Sequence, residues 1–238
     1  MKRWILMSCL CMVFSLQAQQ YAEPTTAWPY VLYDFSDARI TFDSGEQSQA
    51  KVNIHLLHNH LHYLKGDRVF VPNMPEAVTR IQFEETAFVP AEGFFIEVYQ
   101  EAPGLVFGLQ RKGNYEALTK SNGAYGTQTS TGAAQNYLSV PLGGINNLDY
   151  LAIKNDRDQA SAFPVDKRLV FVVDGEIVSA SRQKVAKLLP ESQQDAFKQF
   201  VKSEKINWRK RDSLEKVFRY LVCLLYTSPS PRDISGSR

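Results

Sequence analysis

Short apolar runs alternate with turn residues between positions 30 and 112, and this pattern predicts a series of β-strands. The runs are rich in β-branched and aromatic residues, and several show the period of two that is typical of strands. Gly, Pro, Asn and Asp separate them by connections too short for a parallel crossover, so antiparallel pairing is predicted. The predicted strands cover residues 30–35, 38–42, 49–57, 60–64, 68–71, 78–83, 87–90, 94–99 and 105–111.

The pattern changes in the second half of the chain. Residues 121–136 contain no charge and no aliphatic side chain larger than alanine. Such a segment cannot bury enough apolar surface to offset its ordering entropy, so a flexible loop is predicted. A strand is predicted at 148–153. A hairpin of strands 169–173 and 176–179 then follows around Asp174-Gly175, because Asp-Gly favours a type I′ turn.

Helical periodicity begins after residue 180, with predicted helices at 181–189, 191–204 and 212–221. In the last helix Leu214, Val217, Phe218 and Leu221 form an apolar stripe, which we expect to pack against the sheet. The predicted fold class is α+β: an antiparallel, mostly meandering β-sheet, sandwich- or barrel-like, followed by a small C-terminal helical subdomain. The β-rich domain is assigned to residues 19–180 and the helical subdomain to residues 181–222.

Residues 1–18 have the layout of a secretory signal peptide. Lys2 and Arg3 precede an apolar stretch at 4–16, and Ala18 supplies a small residue before the predicted cleavage. Export is therefore predicted, with the protein periplasmic, associated with the outer membrane or extracellular. A lipoprotein is the alternative, because residues 6–9 loosely resemble a lipobox that ends in Cys9.

Residues 223–238 are predicted to be a non-native tail, because 223–233 match the translation of a transposon-derived sequencing adapter. Without both ends, 23 basic and 24 acidic residues remain, and all three cysteines are lost. The mature chain is then predicted to have no disulfide, no cysteine nucleophile and no thiolate metal site.

The composition is that of a globular protein, with 44% hydrophobic and 22% charged residues among 238. No apolar run outside the first twenty residues is long enough for a transmembrane helix. The small net charge of an exported chain argues against a nucleic-acid partner. The charge is uneven, however, because residues 182–219 contain eleven basic and five acidic residues. That segment either faces an anionic lipid or glycan, or is a solvated helical surface.

All four histidines lie within eight residues, at positions 55, 58, 60 and 62. His60 and His62 point to the same face of a strand, about 7 Å apart at the backbone, and such a pair can share a Zn²⁺, Cu²⁺ or Ni²⁺ ion. His58 would supply a third ligand if the turn allows it. The favoured interpretation, in which no metal site is predicted, is that Leu61, Tyr63 or their neighbours face the core and the histidines form the polar, solvent side of an antiparallel strand.

Motifs of known enzyme classes are absent from the sequence, including the zinc-protease, serine-hydrolase, P-loop and dinucleotide-binding patterns. The carboxylate pairs Glu84/Glu85 and Asp34/Asp37 would suit glycoside hydrolysis only at a separation that a sequence does not give. No cofactor is predicted, and a role without catalysis is favoured.

Three segments carry a family resemblance: VNIHLL at 52–57 followed by HLHYL at 60–64 and Gly66-Asp67, NGAYG at 122–126, and residues 185–190 with FKQFVKSEKI at 197–206. Together they resemble a group of uncharacterised exported proteins of Bacteroidetes. The resemblance implies an envelope or secreted location in a Gram-negative cell. It brings no activity and no catalytic residues with it.

The leading hypothesis is a noncatalytic envelope module that binds a protein, glycan or lipid partner. It predicts an exposed aromatic patch that includes Trp28, Tyr30, Phe94 or Phe95. The alternatives are a hydrolase acting on an envelope or dietary polymer, which needs a cleft with convergent carboxylates, and a small-ligand carrier with an apolar cavity.

Overall fold

The computed structural model describes residues 20–114, 116–117 and 148–227. The predicted signal peptide, Cys9, the 121–136 loop and residues 228–238 lie outside the described residues. The strands are β1 (Ser36–Phe42), β2 (Gln47–His55), β3 (His60–Lys65), β4 (Arg68–Phe70), β5 (Val78–Gln82), β6 (Ala87–Ala91), β7 (Phe94–Ala102), β8 (Leu105–Gly113), β9 (Leu148–Asp149), β10 (Val165–Val173) and β11 (Glu176–Ser179). The helices are α1 (Tyr150–Asp156), α2 (Arg182–Ala186), α3 (Glu191–Ser203) and α4 (Arg211–Thr227).

The described strands form one antiparallel sheet in the order β11-β10-β8-β7-β6-β5-β1-β2-β3-β4-β9. Chain neighbours are sheet neighbours within β1–β4 and within β5–β8, which makes the sheet largely a meander. Among the described strands the sheet is not closed, because β9 and β11 each pair with one other described strand. The outward N–H of Ile177 in β11 donates to Glu92 Oε1. The α+β prediction is confirmed, with the C-terminal helices following the sheet.

The predicted strand at 148–153 is wrong beyond Asp149: β9 has only two residues, and α1 begins at Tyr150. The side chain of Asp149 accepts hydrogen bonds from the backbone N–H groups of Leu151 and Ala152 and thereby caps a helix. The chain therefore turns into α1 where the apolar run suggested a strand. That N-cap aspartate was the sequence signal for a helix.

The predicted strand at 30–35 is reduced to isolated bridges, one of which pairs Tyr30 with His55. The segment continues the line of β1 alongside β2, but Asn53 of β2 interrupts the ladder. Its side chain accepts a hydrogen bond from Leu32 N–H and donates to the carbonyl groups of Leu32 and Asp34. A side-chain amide thus replaces the backbone partners that a regular strand would use.

The C-terminal helices α2, α3 and α4 cover one face of β7, β8 and β10. Phe107 and Phe171 from the sheet pack with Phe197 of α3 and with the apolar stripe of α4, in which Leu214 and Val217 are fully buried. The predicted core role of that stripe is confirmed. Within the described residues, every helix is too short or too polar to span a bilayer.

Replacing Gly108 by alanine is expected to lower the free energy of unfolding by about 3 kcal/mol. Gly108 lies in β8, where an added Cβ would overlap the carbonyl oxygen of Glu97 and approach Ile96 Cγ2 to 2.9 Å. Urea unfolding measures the loss. Gly66→Ala is the control, because its Cβ meets open space and only the positive φ costs about 1 kcal/mol. Equal losses for the two variants would contradict the packing argument.

Candidate functional site

The histidines lie in a second apolar layer on the sheet. In the β2–β3 ladder His55 is opposite His60, and Asn53 is opposite His62, so these side chains share one face. Leu61 faces the other way, into the core of β1–β3 and β5. Over the histidine face lies a cluster of apolar and aromatic side chains: Trp28, Tyr30, Phe35, Val69 and Tyr150.

His62 and His55 are almost fully buried, with exposed fractions of 2% and 3%. Their rings stack at a centroid distance of 5.0 Å, and Tyr30 Oη is hydrogen-bonded to His62 Nδ1 at 2.9 Å. His55 Nδ1 accepts from the backbone N–H of His58. The site is thus a stack of neutral imidazoles anchored by a tyrosine hydroxyl.

Burial keeps both rings uncharged. Desolvation, together with repulsion from the neighbouring His60 and His58, lowers the pKa of His62 to about 3. Desolvation also lowers the pKa of His55 well below its usual range, with His62 as the second cause. The solvent-side interpretation of the histidines is therefore wrong for these two residues, because the segment around Trp28 and helix α1 cover this face.

The three residues predicted as weak metal candidates are placed in different surroundings. His58 and His60 are half-buried with ring centroids 6.1 Å apart, whereas His62 is buried against Tyr30. His58 Nε2 is buried and makes no hydrogen bond. Within the part of the chain that the structure describes, no three His, Cys, Asp or Glu side chains are arranged to hold a metal ion.

A polar cluster at the edge of this layer was not anticipated from the sequence. Asp34 accepts hydrogen bonds from Tyr150 Oη and, at 2.6 Å, from Lys154 Nζ. Burial is the first cause acting on the Asp34 carboxyl and raises its pKa, but the bonds from Lys154 and Tyr150 outweigh it and lower the pKa overall. Asp34 is therefore a paired, ionised anchor for α1. Tyr150 and Lys154 are spaced i, i+4 and therefore lie on one face of a helix. This spacing predicts that they act together only if the segment is already assigned as a helix.

An apolar groove opens at the end of the core of β1–β3 and β5. We call it the strand groove. It has a volume of about 390 Å³, and polar groups of Ser48, Gln49 and Lys65 lie at its rim. Its apolar walls are formed by Ile40, Phe42, Ala50, Leu61, Tyr63 and Val78. The volume falls within the range typical of small-molecule sites.

The four predicted carboxylates have different surroundings. Asp34 is bonded to Lys154, whereas Asp37 and Glu84 line a second open groove of about 500 Å³ that also contains Arg39. Glu85 is exposed beside Glu84 in the turn before β6.

The predicted aromatic patch is wrong for three of its four members. Trp28 and Tyr30 are 0% and 2% exposed, and Phe95 is 9% exposed. Phe94 alone is partly exposed, with Lys112 Nζ 5.9 Å from its ring centroid. These aromatics therefore stabilise the fold, and an exposed aromatic patch of this composition does not form.

No protein-family model matches this chain, and comparisons with curated proteins and with solved structures give no match either.

Proposed function

We propose that this chain is an exported, noncatalytic binding module of the cell envelope whose ligand is a small amphiphile held in the strand groove. The observation that carries the proposal is the groove itself: an apolar recess of about 390 Å³ with a cation at its rim. Deep apolar walls with few polar groups are the usual composition of a ligand site.

The ligand class follows from the lining. Leu61, Phe42 and Val78 favour an alkyl or other apolar body, since burying it removes apolar surface from water on both partners. Lys65 is exposed and has no carboxylate partner among the residues that the structure describes. An anionic head group near Lys65 would complete the fit, as in a fatty acid.

The envelope location rests on the signal-peptide layout and on the resemblance to exported proteins. Fractionation of expressing cells, followed by mass spectrometry, tests it: the processed chain is expected to begin at Gln19 and to be recovered outside the cytoplasm. A chain that retains residues 1–18 in the cytoplasm would contradict export.

Filling the strand groove with tryptophan at Ser48 is expected to weaken binding of a fluorescent fatty acid at least tenfold. Ser48 is exposed and lines the groove. The matched control is Ser192→Trp, because Ser192 is exposed in α3 and does not line the groove. Fluorescence titration and displacement by dodecanoate measure the affinity. Absence of saturable binding, or equal loss in both variants, would overturn the proposal.

The charge of the head group is tested separately. Lys65→Glu is expected to weaken displacement by dodecanoate and to leave displacement by dodecanol unchanged, with Lys51→Glu as the control outside the groove. The hydrolase alternative predicts that the protein releases sugars or peptides from an envelope polymer. Loss of that release in Asp37→Asn or Glu84→Gln would support catalysis in the second groove instead.

A further inference from the structure

A concentrated positive surface lies where α3 passes into α4. Residues 202–211 contain five basic residues and one acidic residue. All five basic side chains are exposed, and four of them form what we call the basic turn: Lys202, Lys205, Arg209 and Lys210. The fifth, Arg211, is already engaged, because its guanidinium lies 3.8 Å from the Tyr99 ring centroid and bonds to Glu215.

The basic turn is held in a compact conformation. Ile206 N–H donates to Val201 O at 3.1 Å, and Lys210 N–H donates to Asn207 O at 3.1 Å. Lys205 adopts a φ of 49°, which closes the end of α3. These bonds hold the four cations at one end of the helical pair.

No carboxylate neutralises the basic turn within the described part of the chain. Glu204, the acidic residue of this segment, is bonded to Lys216 Nζ at 2.7 Å. None of the four cations takes part in an ion pair there. Their mutual repulsion is unfavourable in the free protein and would be relieved by an anionic partner.

An aromatic side chain lies in the middle of these cations. Trp208 is half-buried and packs with Ile206 against the helical core, so part of its indole remains at the surface. Tryptophan is favoured at membrane–water interfaces, where an amphipathic ring meets the head groups.

We propose that the basic turn is a contact surface for an anionic phospholipid membrane. Clustered Lys and Arg at a membrane surface are the usual determinant of such binding, and Trp208 adds an interfacial group that a soluble polyanion would not require. The cations border neither the strand groove nor the second groove. The inference therefore stands independently of the proposed ligand.

The test is co-sedimentation of the chain from Gln19, which retains every described residue, with vesicles of phosphatidylcholine alone or with 30% phosphatidylglycerol. Binding is expected only to the anionic vesicles and is expected to be lost in 0.5 M NaCl. The variant Lys205→Glu/Arg209→Glu/Lys210→Glu is expected to bind about a hundredfold more weakly, because each of the three cations contributes a factor of about five.

The matched control reverses three exposed cations elsewhere: Lys51→Glu/Arg68→Glu/Lys167→Glu has the same net charge and is expected to bind as the wild type does. Equal losses in the two triple variants, or equal binding to both vesicle types, would overturn the proposal. So would binding to dextran sulfate without binding to vesicles, which would assign the surface to an anionic glycan. In the wild type, Trp208 emission is expected to shift to the blue only on anionic vesicles. Comparing the vesicle affinity of Trp208→Phe with that of the wild type then gives the contribution of the indole to binding.

Discussion

Lowering the pH from 8 to 5 is expected to reduce the free energy of unfolding by about 2 kcal/mol through His62 alone, and by about 3 kcal/mol at pH 4. His62 is buried with a pKa lowered from its usual 6.5 to about 3. The lowered pKa of His55 acts in the same direction and adds to the loss. The free energy of unfolding is therefore expected to fall already above the pH at which carboxylates are protonated.

Stability falls at low pH because the unfolded chain takes up protons that the folded chain does not. Above pH 6.5 the two imidazoles are neutral in both the folded and the unfolded chain, so stability does not depend on them. Below pH 6.5 the unfolded chain binds protons that the buried rings do not, and stability falls as the pH is lowered. For His62 this continues until the pH reaches about 3, where the folded form also becomes protonated.

The variant His62→Asn removes the titration and retains an acceptor for Tyr30 Oη. Urea unfolding at pH 8 and pH 5 is expected to show a smaller stability difference than in the wild type, whatever the absolute stability of the variant. His60→Asn is the control, because His60 is half-buried and is expected to contribute less. An unchanged pH dependence in His62→Asn would mean that the ring is already charged or solvated in the native state.

Replacing Asn53 by alanine is expected to destabilise the protein by about 4 kcal/mol. Asn53 is fully buried, and its amide joins β2 to the segment before β1 through Leu32 and Asp34. The variant leaves the backbone N–H groups of Leu32 and Ile54 without their side-chain acceptor, whereas the Leu32 carbonyl keeps Trp28 Nε1 as a donor. Each buried group left unsatisfied costs about 1–3 kcal/mol.

Asn73→Ala is the matched control, because Asn73 is exposed between β4 and β5, and a loss within about 0.5 kcal/mol is expected. Denaturant unfolding of both variants at pH 8 keeps the histidines neutral and isolates the amide contribution. If Asn53→Ala lowers the free energy of unfolding as little as Asn73→Ala does, water must replace the amide where Asn53 interrupts the β-ladder.

The hairpins of the sheet were predictable because their turns are local. Asp174, Gly175 and Gly66 adopt positive φ at the positions where the chain reverses, and the flanking apolar runs set the strands. The helix at Tyr150 was missed because its run of apolar residues also suits a strand. In that case a single capping side chain, Asp149, decided the outcome.

The surroundings of the histidines were not predictable to the same degree. Sequence alternation correctly placed His60 and His62 on one face and Leu61 on the other. Whether that face meets solvent depends on contacts between distant parts of the chain, such as Tyr30 with His62 and Asp34 with Lys154. No local pattern gives such contacts, which is why Trp28 and Tyr30 were expected at the surface.

The two edge strands of the open sheet determine whether the protein can associate with itself by strand addition. Strand addition by another molecule requires a row of free backbone groups, and β9 and β11 present only two and four residues. At β11 the outward N–H of Ile177 is already bonded to the Glu92 carboxylate. An incoming strand would have to displace this bond and approach a negative charge. Edge-to-edge polymerisation through β11 is thus disfavoured by the fold itself.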